Sequence, residues 1–162
     1  MFKAYVITCS DKGFRGERVD TSGPYIKDYL ESIGFEVIDQ VIINDDLKSI
    51  QDKLIYASDT LKSNLIITTG GTGFSPRDNT PEATKKVILR DVPGISEMLR
   101  YESYKVTKKA YLSRGVSGIR NRSLIINLPG SLKAVKENLS FLDSVFSHGL
   151  KVLTLLDTDC GE

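Results

Sequence analysis

Histidine, cysteine and long apolar runs are scarce in this chain, and each scarcity removes a class of chemistry. The sole histidine, His148, lies in a helical tail segment with no second histidine or cysteine beside it, which assigns it to structure or surface rather than to metal binding or acid–base work. The two cysteines, Cys9 in an apolar strand-like segment and Cys160 close to the end, make neither a disulfide framework nor a CxxC metal pair, and they suit a reducing cytosol. No apolar stretch approaches the ~18 residues of a membrane span, and the apolar run in MFKAYVITCSDKG is too short for a signal peptide. An excess of one charge is missing too. Lys plus Arg total 22 against 21 for Asp plus Glu, so no overall field steers the chain to nucleic acid or to an anionic membrane. The expectation is a soluble cytoplasmic protein in which any anion site is local.

Low-complexity segments, internal repeats and Pro-rich linkers are likewise missing, which predicts one domain over 1–156 with a short C-terminal tail at 157–162. What the chain does contain is an alternation of apolar runs and helical patterns. Ala4 to Cys9, Glu36 to Ile43, Asn64 to Thr69 and Ser123 to Leu128 are short and rich in β-branched residues, as strands covered on both faces are. Between them, Ser22 to Ile33 and Asp46 to Leu61 read as helices, the second carrying Leu47, Ile50, Leu54, Ala57 and Leu61 on one face. Thr80, Pro81 and Glu82 announce a third helix, with a hydroxyl cap, a proline in the first turn and an early carboxylate. Pro93 and Gly94 break the pattern before a helix over Ile95 to Tyr104, and Leu132 to Phe146 supplies the last. This order predicts a single-domain three-layer α/β/α sandwich on a mostly parallel sheet, whose ligand crevice lies beyond the carboxyl ends of the strands.

Four polar turns occupy those strand ends. The stretch TTGGTGFSPRDNTPE, from Thr68 to Glu82, runs from a strand into a capped helix. Gly70, Gly71 and Gly73 remove Cβ atoms that would hold backbone N–H groups away from a phosphate, while Thr72 and Ser75 add hydroxyls. It is neither a GxxxxGK[ST] loop nor a GxGxxG fingerprint. Arg77 can pair with phosphate oxygens, and Asp78 can hold a hard divalent cation touching the same oxygens. After the first strand, Ser10 to Pro24 carries three basic residues and three glycines, with Thr21 or Ser22 capping the next helix. In Asn44-Asp45-Asp46, Asp46 caps the helix from Leu47 and leaves Asp45 to face the crevice and share a metal with Asp78. In LPGSLKA, Ser131 and the first helical N–H groups form an oxyanion seat close to Lys133. Taken singly, each turn equally fits a sharp strand exit, a helix cap or ordinary charged surface. Their coincidence at four strand ends favours a site.

TTGGTGFSPRDNTPEAT, with SRGVSGIRNRSLIINLPGSLKAV downstream, resembles the molybdopterin-binding domain family of molybdenum-cofactor biosynthesis, and the likeness runs from SDKG to LPGS. The resemblance implies an α/β/α fold, a homotrimer, and a site for molybdopterin and, in the catalytic branch, for ATP with Mg²⁺. It places the nucleotidyl-transfer aspartate on Asp78 and a second acidic position on Asp45, the pair that would hold the Mg²⁺. Gly70, Gly71, Thr72 and Gly73 would cradle phosphate, with Ser10 and Asp11 on the nucleotide side. Ser113, Arg114, Pro129, Gly130, Ser131 and Lys133 would serve the pterin and its phosphate. Glu97 also matches, without an assigned role. Leu132 departs from the usual proline of LPGSPKA, Asn79 from the usual valine, and Lys12 from arginine; Leu132 alters backbone stiffness beside the pterin seat.

The activity so implied is molybdopterin adenylyltransfer, AMP passing from ATP to the terminal phosphate of molybdopterin with release of pyrophosphate. The rival use of the same fold is a non-catalytic molybdopterin carrier, with contact to a molybdenum-insertion protein as a further partner of either. The PRD motif with an acidic turn before it favours the enzyme.

Overall fold

The computed structural model describes residues 1–155; Cys160 and the tail at 157–162 lie outside the described residues. Among the described residues six strands form one sheet in the order β2-β1-β3-β6-β5-β4. β1 (Lys3–Cys9), β2 (Glu36–Ile43), β3 (Leu65–Thr69) and β6 (Ser123–Leu128) are parallel, whereas β5 (Ser117–Arg120) and β4 (Arg90–Asp91) add an antiparallel edge. The four parallel strands are the four expected runs. β4 and β5 are additions to the expected sheet, short strands with no apolar alternation in the sequence to announce them.

Alternate residues of each central strand enter two separate cores. Ala4, Val6, Leu65, Ile67, Leu124 and Ile126 face α2 (Ser22–Ser32), α5 (Pro93–Tyr104) and α6 (Leu132–Leu153). Tyr5, Ile7, Ile66 and Ile125 face α3 (Leu47–Ile55) and α4 (Thr80–Val87). Burial on both faces is why these strands read as continuous apolar runs. Each fully buried Ile or Leu contributes roughly 1.5–3 kcal/mol to the compact state. The edge strand β2 departs from that expectation: most of its residues are only half-buried, because it has a neighbour on one side alone.

Helix ends follow local chemistry with two corrections. Asp46 caps α3, its carboxylate accepting from Ser49 N–H at 2.9 Å, and Ser131 caps α6 through Ala134 N–H at 3.2 Å. Thr21 holds the N-cap position of α2, but its side chain makes no cap bond; Asp20 supplies the acceptor instead, its Oδ1 taking Ser22 N–H at 3.1 Å and Gly23 N–H at 3.0 Å. Thr80 is the first residue of α4 rather than its cap, and its hydroxyl instead donates to the Gly70 carbonyl at 3.0 Å. α3 runs on into a wider π turn over Tyr56–Thr60, and α6 extends past the expected Phe146 to Leu153. A four-residue helix, α1 (Asp11–Phe14), opens the loop after β1, capped by Ser10. No helix among the described residues is long and apolar enough to cross a membrane.

Candidate active site

The carboxyl ends of β1, β3 and β6 converge so closely that side chains are excluded between them. Gly70 has φ +92°, and a Cβ there would stand 2.4 Å from the Cys9 carbonyl oxygen, so only glycine fits. Its N–H donates to the Leu128 carbonyl at 3.2 Å, joining the third strand end to the sixth. Gly71, at φ +65°, passes between Thr80 and Asp45; a Cβ there would meet Thr80 Oγ1 at 2.4 Å and Asp45 Oδ1 at 3.2 Å. A Cβ on Gly73 would meet Asp78 Oδ2 at 2.8 Å. The glycine loop therefore runs directly against both aspartates.

Beyond these turns lies a cleft of about 570 Å³. Of the residues expected there, Ser10, Asp45, Gly70, Gly71, Thr72, Gly73, Asp78, Gly130 and Ser131 line it. Asp45 Oδ2 accepts from Asp11 N–H at 2.8 Å, while Asp45 Oδ1 is buried and, among the described residues, has no hydrogen-bond partner. Burial pushes the Asp45 carboxyl above the ordinary carboxylate range, and the neighbouring Asp11 and Asp78 carboxylates push the same way. Asp78 is half-buried; its Oδ2 accepts from Ser75 N–H at 3.0 Å, which fixes the side chain inside its own turn. Two hard carboxylates on one phosphate-sized cradle, one with a spare buried oxygen, match the way Mg²⁺ is held by one or two carboxylates plus substrate phosphates. Among the described residues no group of three or more His, Cys, Asp or Glu gathers as a closed metal cage. Cys9 also lines the cleft, but burial lifts its thiol to about 12, so it stays protonated and is no nucleophile.

Asp11, Ser75, Arg77 and Lys133 sit outside the lining. Arg77 forms a bidentate pair with Asp11 at 2.9 Å on both arms, spanning from the glycine loop to the loop after β1. Arg114, expected on the pterin side, is occupied by the glycine loop instead. Its backbone N–H donates to Thr72 O at 2.9 Å, and its guanidinium donates to Gly73 O and Asp78 O, both at 2.7 Å, and to the Glu82 carboxylate. Ser113 and Pro129 line a second cavity of about 270 Å³ between α5, α6 and the 3₁₀ turn Lys108–Leu112, which shares Thr72 and Gly73 with the first. Three residues not expected in the site join it: Asn79, whose amide donates to Asp45 O at 2.8 Å, Glu82, and Arg18, the lone cationic side chain lining the cleft among the described residues. Asn79 and Glu82 carry a local signal only as the first turn of α4; their partners lie 34 and 32 residues away.

An open parallel sheet with a glycine cradle and paired aspartates at its switch point is the build of a protein that handles a phosphorylated ligand. Residues 5–146 match the family described as a probable molybdopterin binding domain, and the chain belongs to that family. It is 42% identical over 136 residues to the molybdopterin adenylyltransferase of Helicobacter pylori strain J99, covering 83% of this chain and 77% of that one. It is 39% identical over 149 residues to the molybdenum cofactor synthesis protein cinnamon of Drosophila melanogaster, covering 91% of this chain and spanning 25% of cinnamon's length. The crystal structure of the molybdopterin biosynthesis enzyme MoaB of Thermus thermophilus superposes with a TM-score of 0.90 at 44% identity, over 95% of this chain and 97% of that one.

Proposed function

We propose that residues 1–156 form a molybdopterin adenylyltransferase, which transfers AMP from ATP to the terminal phosphate of molybdopterin. One observation carries this reading: the unpartnered, buried Asp45 Oδ1 stands against Gly71, in the cleft that Asp78 also lines. A buried carboxylate oxygen without a donor costs free energy unless a cation takes it up.

The triphosphate would lie on the N–H groups of Gly71 to Gly73 with Ser10 near it, and Arg77, paired with Asp11 outside the lining, would turn toward its phosphates from the same loop. Mg²⁺ held by Asp45 and Asp78 would neutralise charge on the phosphates. The phosphate oxygen of molybdopterin forms a bond to the α-phosphorus while the α–β bridging P–O bond breaks, and pyrophosphate leaves with the electron pair. That oxygen is already ionised at neutral pH. The chain therefore has to position and neutralise rather than to abstract a proton, consistent with a neutral Cys9 and no histidine in the cleft.

The second cavity, with Ser113 and Pro129, adjoins the seat of Gly130 and Ser131 and suits the pterin. The reading extends to a cytoplasmic homotrimer, supported by the exposed Tyr101, Tyr104, Val106, Tyr111 and Leu112, and to hand-over of product to a molybdenum-insertion protein. Purified protein given molybdopterin, ATP and Mg²⁺ should yield adenylylated pterin and an equal amount of pyrophosphate. Tight pterin binding with no response to ATP would make the protein a carrier instead.

A further inference from the structure

The smaller cavity is built from two helix faces and carries one free carboxylate. Ser96, Leu99, Arg100 and Ser103 of α5 face Ala134, Glu137 and Asn138 of α6, both sets at helical spacing. Leu99, Leu112, Pro129 and Ala134 give it apolar walls suited to a flat ring. Its polar groups are mostly committed. Asn127 donates to Thr68 and Thr84 and accepts from Val116 N–H, Asn138 donates to Ser103 and to Ala134 O, and Arg100 donates to Gly115 O at 2.8 Å. Among the described residues Glu137 is the single carboxylate of the lining, and its side chain enters no ion pair or hydrogen bond with them.

A 2-amino-4-oxo-pyrimidine edge presents two adjacent donors, the ring N3–H and the 2-amino group, which match the two oxygens of one carboxylate. Its 4-oxo group and ring nitrogens accept, and Arg100 and Lys109 are the cationic donors of the same lining. Adenine presents the opposite pattern at its pairing edge, a ring-nitrogen acceptor beside one amino group, and a carboxylate would face that acceptor unfavourably. The two cavities meet at Thr72 and Gly73, so a molecule seated in the smaller one can extend its tail to the cradle in the larger.

From this we infer that Glu137 is a specificity-determining residue: its carboxylate reads the amino-pyrimidinone edge of the pterin and thereby assigns the smaller cavity to the pterin and not to adenine. The inference rests on the adenylyltransferase reading and adds the group that sorts the two substrates.

The test uses the full chain and two fluorescent bicyclic probes, pterin itself and lumazine, in which a 2-oxo group replaces the 2-amino group. Wild type should bind pterin about tenfold or more tighter than lumazine, the range expected when a charge-assisted pair is replaced by facing acceptors. Glu137→Gln, whose amide can donate to a 2-oxo group, should erase or invert that preference. Glu137→Asp should fall between, and Mg²⁺-dependent ATP binding should be unchanged in both variants. Adenosine should not displace pterin. Pterin binding with the same preference in Glu137→Gln, or displacement of pterin by adenosine, overturns the assignment of Glu137 alone. No pterin binding by wild type overturns it together with the proposed function.

Discussion

Asp11 and Asp45 hold each other through their backbones: Asp11 N–H donates to Asp45 Oδ2 at 2.8 Å, and Asp45 N–H donates to Asp11 Oδ1 at 3.0 Å. Two like charges are thus brought together on purpose, and they are balanced differently. Asp11 also takes both arms of Arg77, whose guanidinium, with the Asp45 N–H, holds the Asp11 carboxyl below its usual range. Among the described residues Asp45 enters no ion pair, and one of its oxygens is orphaned. The pair is fixed in its backbone geometry and unsatisfied in its charge among the described residues, the imbalance that the proposed divalent ion would offset.

Replacing Asp45 by Asn should therefore stabilise the free protein while disabling it. Removing a buried charge without a partner is expected to gain on the order of 1 kcal/mol, or about 2–4 °C in Tm for a domain of this size. With saturating Mg²⁺ and ATP the order should reverse, because only the wild type gains binding energy. Differential scanning calorimetry with and without the ligands checks both signs.

The pH dependence of that difference is fixed by the directions of the shifts. Asp45 has a raised value in the folded state, so the native protein keeps a proton that the unfolded chain has lost, and its stability falls as pH rises through that value. Asp11 and Asp59 are lowered, by Arg77 and Arg120 respectively; the stability they contribute is present above the ordinary carboxylate range and lost as pH falls through their lowered values. The Tm advantage of Asp45→Asn should consequently shrink on acidification and vanish once wild-type Asp45 is protonated. A melting series from neutral to acid pH measures it.

Two glycines in the same loop should fail in different ways. Gly70→Ala forces φ +92° on a residue with a Cβ and drives that atom to 2.4 Å from a backbone carbonyl, so a loss of about 3 kcal/mol or more is expected. Gly73 is not at positive φ, and its new methyl group would meet only the Asp78 carboxylate. Gly73→Ala should keep a near wild-type urea midpoint and lose catalysis at least tenfold, by displacing Asp78.

Arg114→Lys should act on turnover more than on folding. The forked guanidinium holds Gly73 O, Asp78 O and Glu82 together, and an ammonium cannot reproduce that planar set. A drop in kcat of about tenfold or more with pterin affinity retained is expected, and steady-state kinetics with a pterin titration separates the two. If pterin affinity falls instead, Arg114 contacts the pterin directly.

The sheet was legible because strands covered on both faces have to be apolar throughout, and α3 and α4 because Asp46, Pro81 and Glu82 are local signals. The place of Asp45 in the cleft was legible because Asp46, engaged as a cap, left its neighbour to face the crevice, and that of Asp78 because it follows the glycine turn at a strand end. What escaped depends on partners far along the chain. Arg114 reaches residues 36 and 41 positions away, Arg77 meets Asp11 across 66, and neither pairing leaves a periodicity to read. The β4–β5 ribbon is two paired positions long and takes its stability from the sheet it joins. The capping role of Asp20 is masked in the sequence because Thr21 and Ser22 beside it offer the same signal.

The most direct test is a single-turnover reaction with α-labelled ATP, Mg²⁺ and molybdopterin, run on wild type and Asp78→Asn while pterin binding is followed in parallel. Wild type should move the label to the pterin with matching pyrophosphate, and the variant should bind pterin normally yet transfer at least about a hundredfold more slowly. Transfer by Asp78→Asn at the wild-type rate would contradict the assignment of the metal to the paired aspartates.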